Sequence, residues 1–395
     1  MSPPSPPRAP EIVALSGARG LPALFIVAFH FHEAFGYRGL GAFDALLNKG
    51  YLYVEFFFIL SGFTLTYVYR GGPLSQFSAG AYRDFLAARA ARLYPGHYFM
   101  LFAILGLEIV RRALIAEETG VALFDVPAVA GRTAETFITN LLLIQAWNID
   151  SGLSWNGPAW FLSVMLFLYL LFPLMLTAMG DRFGMRSLLL AIAGGGVLAA
   201  IAYTSGRGLD VTFHNGLFRG LGAFLVGCGI ATAISAIPKE RVWTWLLSVA
   251  QVLCAALLVA AFLYGGKPRS HADLAIAGLL AALIFLLAFD RGLIARAVTH
   301  PLIMKLGELS LAIYLTHFFF IQLVRMLRRY AYPAPDMVVF GAPFSALFPA
   351  VHWIELAFVM ACATFFGWLL HRYLEQPAGT ALRRLLSRAR PAPAQ

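Results

Sequence analysis

Residues 242–264 read VWTWLLSVAQVLCAALLVAAFLY, a run without one Asp, Glu, Lys, Arg or His. Crossing a bilayer takes about 20 mostly apolar residues, and this stretch supplies them with no charge to desolvate. Working outward, the same criterion marks segments at roughly 17–35, 51–70, 94–115, 157–179, 187–204, 217–235, 273–290, 305–327 and 352–374. The composition agrees, since the 395 residues are 60% hydrophobic, 14% aromatic and only 13% charged. A soluble domain is a little under half apolar and roughly a quarter charged, and a folded chain of this size lacks the interior to hide such an excess. A soluble enzyme, a disulfide scaffold and a disordered chain are therefore excluded. The fold class is all-α: a polytopic integral membrane protein of about ten transmembrane helices.

Between these spans, AETFITNLLLIQAW (134–147) is apolar but too short to cross, and reads as an interfacial or re-entrant helix. Residues 80–93 hold Arg83, Arg89 and Arg92 among apolar residues, the pattern of an amphipathic helix lying along the cytoplasmic membrane surface. The Pro-rich residues 1–15 read as a disordered tail, 16–378 as one transmembrane domain and 379–395 as a basic cytoplasmic tail with Arg383, Arg384, Arg388 and Arg390. The first apolar stretch has no small-residue cleavage pattern and is expected to be retained as a helix. Cys228, Cys254 and Cys362 lie in apolar runs without metal-ligand spacing, so neither disulfides nor a metal site is expected. The net charge of +10 is scattered between apolar stretches, which points to orientation in the membrane and not to nucleic acid. With the N-terminus inside, roughly 18 Lys and Arg fall on the cytoplasmic side and roughly 11 outside, although Arg325, Arg328 and Arg329 run against that trend.

Ionisable groups within spans are the candidates for function, because charge in a membrane is costly. Arg19 and His30 stand 11 positions apart, which brings them to within about 20° of one helical face and about 16 Å apart along the axis. That stripe joins an anion-binding cation near the cytoplasmic surface to a proton acceptor deeper in. Glu55, near the outer end of the following antiparallel span, is at matching depth and is a candidate to hold the ring N–H of His30. Glu33, one turn beyond His30, is the rival partner, while His32 points away and is read as structural.

These motifs give the chain a resemblance to the membrane-bound acyltransferase 3 family, whose members O-acylate bacterial surface and secreted carbohydrates among other acceptors. The family opens with an Arg-x10-His signature, matched by Arg19 and His30. Its second helix resembles VEFFFILSGF (Val54 to Phe63), with Glu55 where Asp is usual. RAARLYP supplies an Arg-x-x-Arg motif in Arg89 and Arg92. Further similarity lies in WFLSVMLFLYLLFP (Trp160, Ser163, Tyr169, Pro173), FRGLGAFLVG (Arg219, Gly227), LGELSLAIYLTHFF (Ser310, Tyr314, His317) and LEQP (Glu375, Pro377). Two departures are Met165, where many relatives have Glu, and Phe161, where they have Ser. The SGNH-type domain fused to some relatives is not expected after the tenth span, and the alternatives are a second protein, a different acceptor route, or no need for either.

The resemblance implies an acyltransferase that takes acetyl-CoA or another acyl-CoA on the cytoplasmic side. Arg19, Arg89 and Arg92 are expected to hold the donor phosphates, whose geometry suits the arginine fork. The pantetheine arm is expected to follow the Arg19–His30 stripe, with His30 as general base and Glu55 balancing its imidazolium. Trp160, Ser163, Tyr314 and His317 are candidates for the acceptor pocket, each with a packing role as the competing reading. The expected acceptor is a glycan or glycolipid hydroxyl, and the expected location is the bacterial inner membrane. A non-enzymatic carrier or exporter of a polysaccharide or lipid-linked precursor is the alternative, although no internal repeat of the transporter kind is apparent.

Overall fold

A computed structural model describes residues 10–36, 42–76, 78–179, 183–330, 338–339, 341–343 and 348–388. The start of the Pro-rich tail and Arg390 lie outside the described residues, as do the side chains of Arg383, Arg384 and Arg388. In chain order the helices are α1 (Val13–Ala18), α2 (Gly20–Phe35), α3 (Ala42–Asn48), α4 (Tyr53–Tyr69), α5 (Ala79–Thr119), α6 (Ala134–Leu142), α7 (Trp160–Met179) and α8 (Phe183–Thr204). They continue with α9 (Gly216–Ala236), α10 (Thr244–Tyr264), α11 (Asp273–Leu287), α12 (Leu293–Val298), α13 (Pro301–Tyr330), α14 (Phe348–Leu370) and α15 (Gln376–Arg388). A turn of π-helix, His371–Glu375, joins the last two. The strand content described is one antiparallel pair, Val338–Val339 against Ala342–Pro343.

The chain is an all-α polytopic membrane protein. Eight described helical stretches are long and apolar enough to cross a bilayer, and they fall on eight of the ten segments read from hydropathy. Of the other two, α11 is a shorter apolar helix of 15 residues. The second belongs to α5 and brings a correction. The expected surface helix 80–93 and the expected span 94–115 are one helix of 41 residues, begun at Ser78, whose hydroxyl accepts from the Ala81 N–H. Pro95 lies inside it and costs a single backbone donor, leaving the chain helical on both sides. At 1.5 Å per residue α5 is about 60 Å long, twice the hydrocarbon thickness of a bilayer, so it extends well beyond the lipid core.

Small residues set the packing. A β-carbon at Gly62 of α4 would meet the Phe224 carbonyl oxygen of α9 at 1.9 Å, and one at Gly227 would meet the Ile59 oxygen at the same distance. The two backbones touch there, the close approach by which helices gain contact in lipid, where apolar side chains alone give no preference for protein over tails. Of the eight stretches α4 is the most enclosed and α10 the least. Leu253, Leu257 and Val259 of α10 are exposed at no hydrophobic cost, since their solvent is lipid.

Candidate active site

Because α2 and α4 run antiparallel, the bundle has an end marked by Arg19 and an opposite end marked by Glu55. At the first end, Arg19 sits at the joint between α1 and α2, where its Nε donates to the Ser16 carbonyl at 3.2 Å. The N-terminal half of α5 brings Arg89 and Arg92 to the same place. All three line one cavity of about 450 Å³. The guanidinium of Arg89 lies over the rings of Phe85 and Tyr169, and one nitrogen donates to the Tyr69 hydroxyl at 3.4 Å while its buried Nε has no partner among the described residues. Deeper in, the wall turns apolar with Phe57, Phe161, Met165, Leu311 and Tyr314. The cavity is therefore cationic at one end and apolar toward the other.

The expected groove along the Arg19–His30 stripe is not there. Ala23 and Ile26, the stripe residues between the two, are fully buried. The cavity instead runs beside the stripe, walled by α1, α4, α5, α7 and α13, and His30 is not among its lining residues. The physical reason is close packing of α2 on α13, where a β-carbon at Gly20 would lie 2.7 Å from that of Leu306. Tyr314 stands at the boundary. Its ring faces Phe161 in the cavity wall and His317 behind it, each with 5.6 Å between centroids. Its hydroxyl donates to the Pro158 carbonyl at 2.5 Å.

His30 has a different partner from either carboxylate foreseen. Its Nδ1 lies 3.2 Å from Nε2 of His317 and 3.1 Å from the Ile26 carbonyl oxygen, and the two imidazoles stack at 5.1 Å. A carbonyl oxygen can only accept, so the Ile26 bond puts the proton on Nδ1 of His30. His317 Nε2 then faces that N–H as a second acceptor. His30 Nε2 keeps its lone pair, on a ring that is half-buried.

Glu55 instead accepts from Arg219 Nε at 2.7 Å, with both side chains fully buried. Arg219 also donates to the Tyr51 carbonyl at 2.8 Å and the Val211 carbonyl at 3.1 Å, and lies over the ring of Trp160. The expected His30–Glu55 pair is thus replaced by an ion pair that ties α4 to α9. Glu33, the rival, is bonded to Arg269. The Tyr51 hydroxyl donates to Asp273 at 2.8 Å, and Asp273 accepts the Leu209 N–H at 2.9 Å. Ser163 is buried away from the cavity, where its hydroxyl accepts the Ala146 N–H at 3.1 Å and fixes the chain after α6 to α7. His371 at the π-turn lies between Glu375 and Glu308, at 2.8 and 3.2 Å. Arg219 stands out in the sequence as a charge within a span, but nothing there gives it a partner. For Tyr51 and Asp273, at span ends, no such signal exists.

A lipid-embedded helical bundle with a cation-mouthed cavity and a histidine pair behind it has the parts a membrane group-transfer enzyme needs. The chain matches the acyltransferase domain family over residues 12–372, and it belongs to that family, acyltransferase 3. It is 30% identical over 174 residues to the acyltransferase MdmB of Streptomyces mycarofaciens, covering 43% of this chain and 40% of that protein. It is also 30% identical over 201 residues to protein 2 in the picA locus of Rhizobium radiobacter, covering 50% of this chain and 96% of that protein. No solved structure matches it.

Proposed function

We propose that this protein transfers an acyl group, acetyl or another short acyl, from a cytoplasmic acyl-CoA to a hydroxyl of an extracytoplasmic carbohydrate. The observation that carries this reading is the convergence of Arg19, Arg89 and Arg92 on one cavity whose apolar end stops at Tyr314, against the His317–His30 pair. Three guanidiniums suit the phosphates of coenzyme A, and the apolar wall suits the pantetheine arm and acyl chain. No metal enters this scheme. The reading sets the N- and C-termini in the cytoplasm of a bacterial inner membrane, as the Lys and Arg excess on that side favours.

In this scheme Nε2 of His30 takes the acceptor hydroxyl proton as the oxygen bonds to the thioester carbonyl carbon. The carbon–sulfur bond then breaks, and the imidazolium returns the proton to the departing thiolate. As His30 gains charge, its Nδ1–H is held by the Ile26 carbonyl and His317 Nε2, the work first expected of a carboxylate. Glu55 acts at a remove, as the counter-ion that positions Arg219 beneath Trp160. The acceptor is a glycan or glycolipid, presented with or without an accessory protein. The cavity's end at Tyr314 and the packed stripe beside it favour passage of an acyl group over export of a whole glycan.

The test uses purified full-length protein, radiolabelled acetyl-CoA and a panel of glycans. His30→Ala is expected to lower kcat by about 100- to 10,000-fold while acetyl-CoA binding persists. Full transfer by His30→Ala, or glycan movement across vesicles without acyl-CoA turnover, overturns the reading.

A further inference from the structure

At the Glu55 end of the bundle, three arginines converge on one carboxylate. Glu108 of α5 accepts from Arg111 at 2.6 and 3.0 Å, from Arg112 at 3.2 Å and from Arg132 at 2.9 Å. Two of the three positive charges are therefore left unmatched by it. Arg132 is only 5% exposed. It turns Nη1 to Glu108 and leaves Nε and Nη2 buried with no partner among the described residues. Those two nitrogens form one edge of the guanidinium, the edge whose parallel N–H bonds fit a carboxylate or phosphate. A buried donor left open is costly and calls for a missing acceptor. Here both donors of one fork are open together.

The neighbourhood is cationic and lies beside the histidine pair. Arg325 donates to the Ala34 carbonyl at 3.0 Å, one turn past His30 on α2, and is close enough to Arg132 to repel it. Burial is the main influence pulling the Arg132 guanidinium below its ordinary value; Glu108 opposes it, and Arg111 and Arg325 add to it. Below Glu108, Ile104 belongs to a buried cluster with Leu101 and Trp155 against which Phe318 and Phe319, the residues after His317, are packed. These cations also fall on the side where arginine is disfavoured by the trend that orients the chain, so topology does not account for them.

We propose that the open edge of Arg132, with Arg325 beside it, binds an anionic group, a carboxylate or phosphate, carried by the acceptor saccharide. This rests on the transfer reading for its placement, and makes the acceptor an acidic glycan. An anionic lipid headgroup offers the same oxygens and is the rival occupant.

The experiment compares a uronic-acid trisaccharide with its methyl ester, in phosphatidylcholine nanodiscs with and without phosphatidylglycerol. Binding is measured directly on His30→Ala protein, so that it is read even where no transfer occurs. Transfer from acetyl-CoA is measured separately on the wild type. The acid is expected to bind at least about 10-fold more tightly than the ester. Arg132→Gln and Arg132→Lys are each expected to remove that preference, with KM for acetyl-CoA unchanged; the lysine variant keeps the charge and loses only the fork. Equal binding of acid and ester by His30→Ala protein that carries the native Arg132 overturns the proposal, with no variant needed. Arg132-dependent capture of phosphatidylglycerol that the trisaccharide fails to displace also overturns it. Preference for the acid without acyl transfer upholds this site and sinks the transfer reading instead.

Discussion

Two regions of the bundle, the buried Glu55–Arg219 pair and the mouth of the cavity, treat arginine in opposite ways. Arg219 has each guanidinium nitrogen engaged, by Glu55, Val211 and Tyr51, and is completely enclosed. Arg19, Arg89 and Arg92 line open space, and Arg89 makes one long hydrogen bond to a tyrosine. Neutralising a buried charge stabilises a fold but leaves nothing to offer a ligand. Cations around a cavity, among them Arg89 over two aromatic rings, keep donors for something that arrives. The comparison teaches that among intramembrane charges, functional candidates are those whose hydrogen bonds the fold does not complete.

Breaking the closed pair should have the largest effect. Glu55→Ala strands the Arg219 guanidinium, and loss of one partner from a buried pair costs about 3–5 kcal/mol. The expected outcome is a large fall in the melting temperature in detergent; an unchanged melting temperature would remove Glu55 from the structural side of the contrast. At the cavity mouth the effect should fall on binding. Arg89→Met should raise KM for acetyl-CoA by about 10-fold, or about 1.4 kcal/mol, and barely move the melting temperature. That KM should also climb with added salt in the native protein and climb less in the variant, since the attraction is screened. Smallest is Tyr314→Phe, which removes the hydroxyl bonded to Pro158. About 1 kcal/mol of stability is expected to go, and a chemical-denaturation curve in mixed micelles measures it.

Much of this was legible in the sequence, for physical reasons. A run such as 242–264 is stable only when lipid or protein surrounds it on every side, so the helices at apolar runs were readable from hydropathy. Arg19, Arg89 and Arg92 were readable as a group because a guanidinium at the edge of a span must meet either water or an anion. The pairings were not. His30 and His317 are 287 positions apart and Glu55 and Arg219 are 164 apart, and depth along a helix does not say which neighbour a side chain faces. Equal depth suggested His30 with Glu55, but the backbone contact at Gly62 and Gly227 brings α9 against α4 and supplies Arg219 first. The expected separation of 80–93 from 94–115 fails for a local reason, since the helix loses one donor at Pro95 and still continues.

That continuity carries a mechanical consequence. The rod that bears Arg89 and Arg92 near one tip bears Glu108, with its three arginines, 16 positions beyond Arg92. A nucleotide gripping the lower tip and a sugar gripping the upper one would pull on the same beam, whose stiffness is interrupted only where a proline takes out a single rung. On the proposed reading, occupancy at one site would reach the other, about 24 Å along the same helix, as a tilt of that helix.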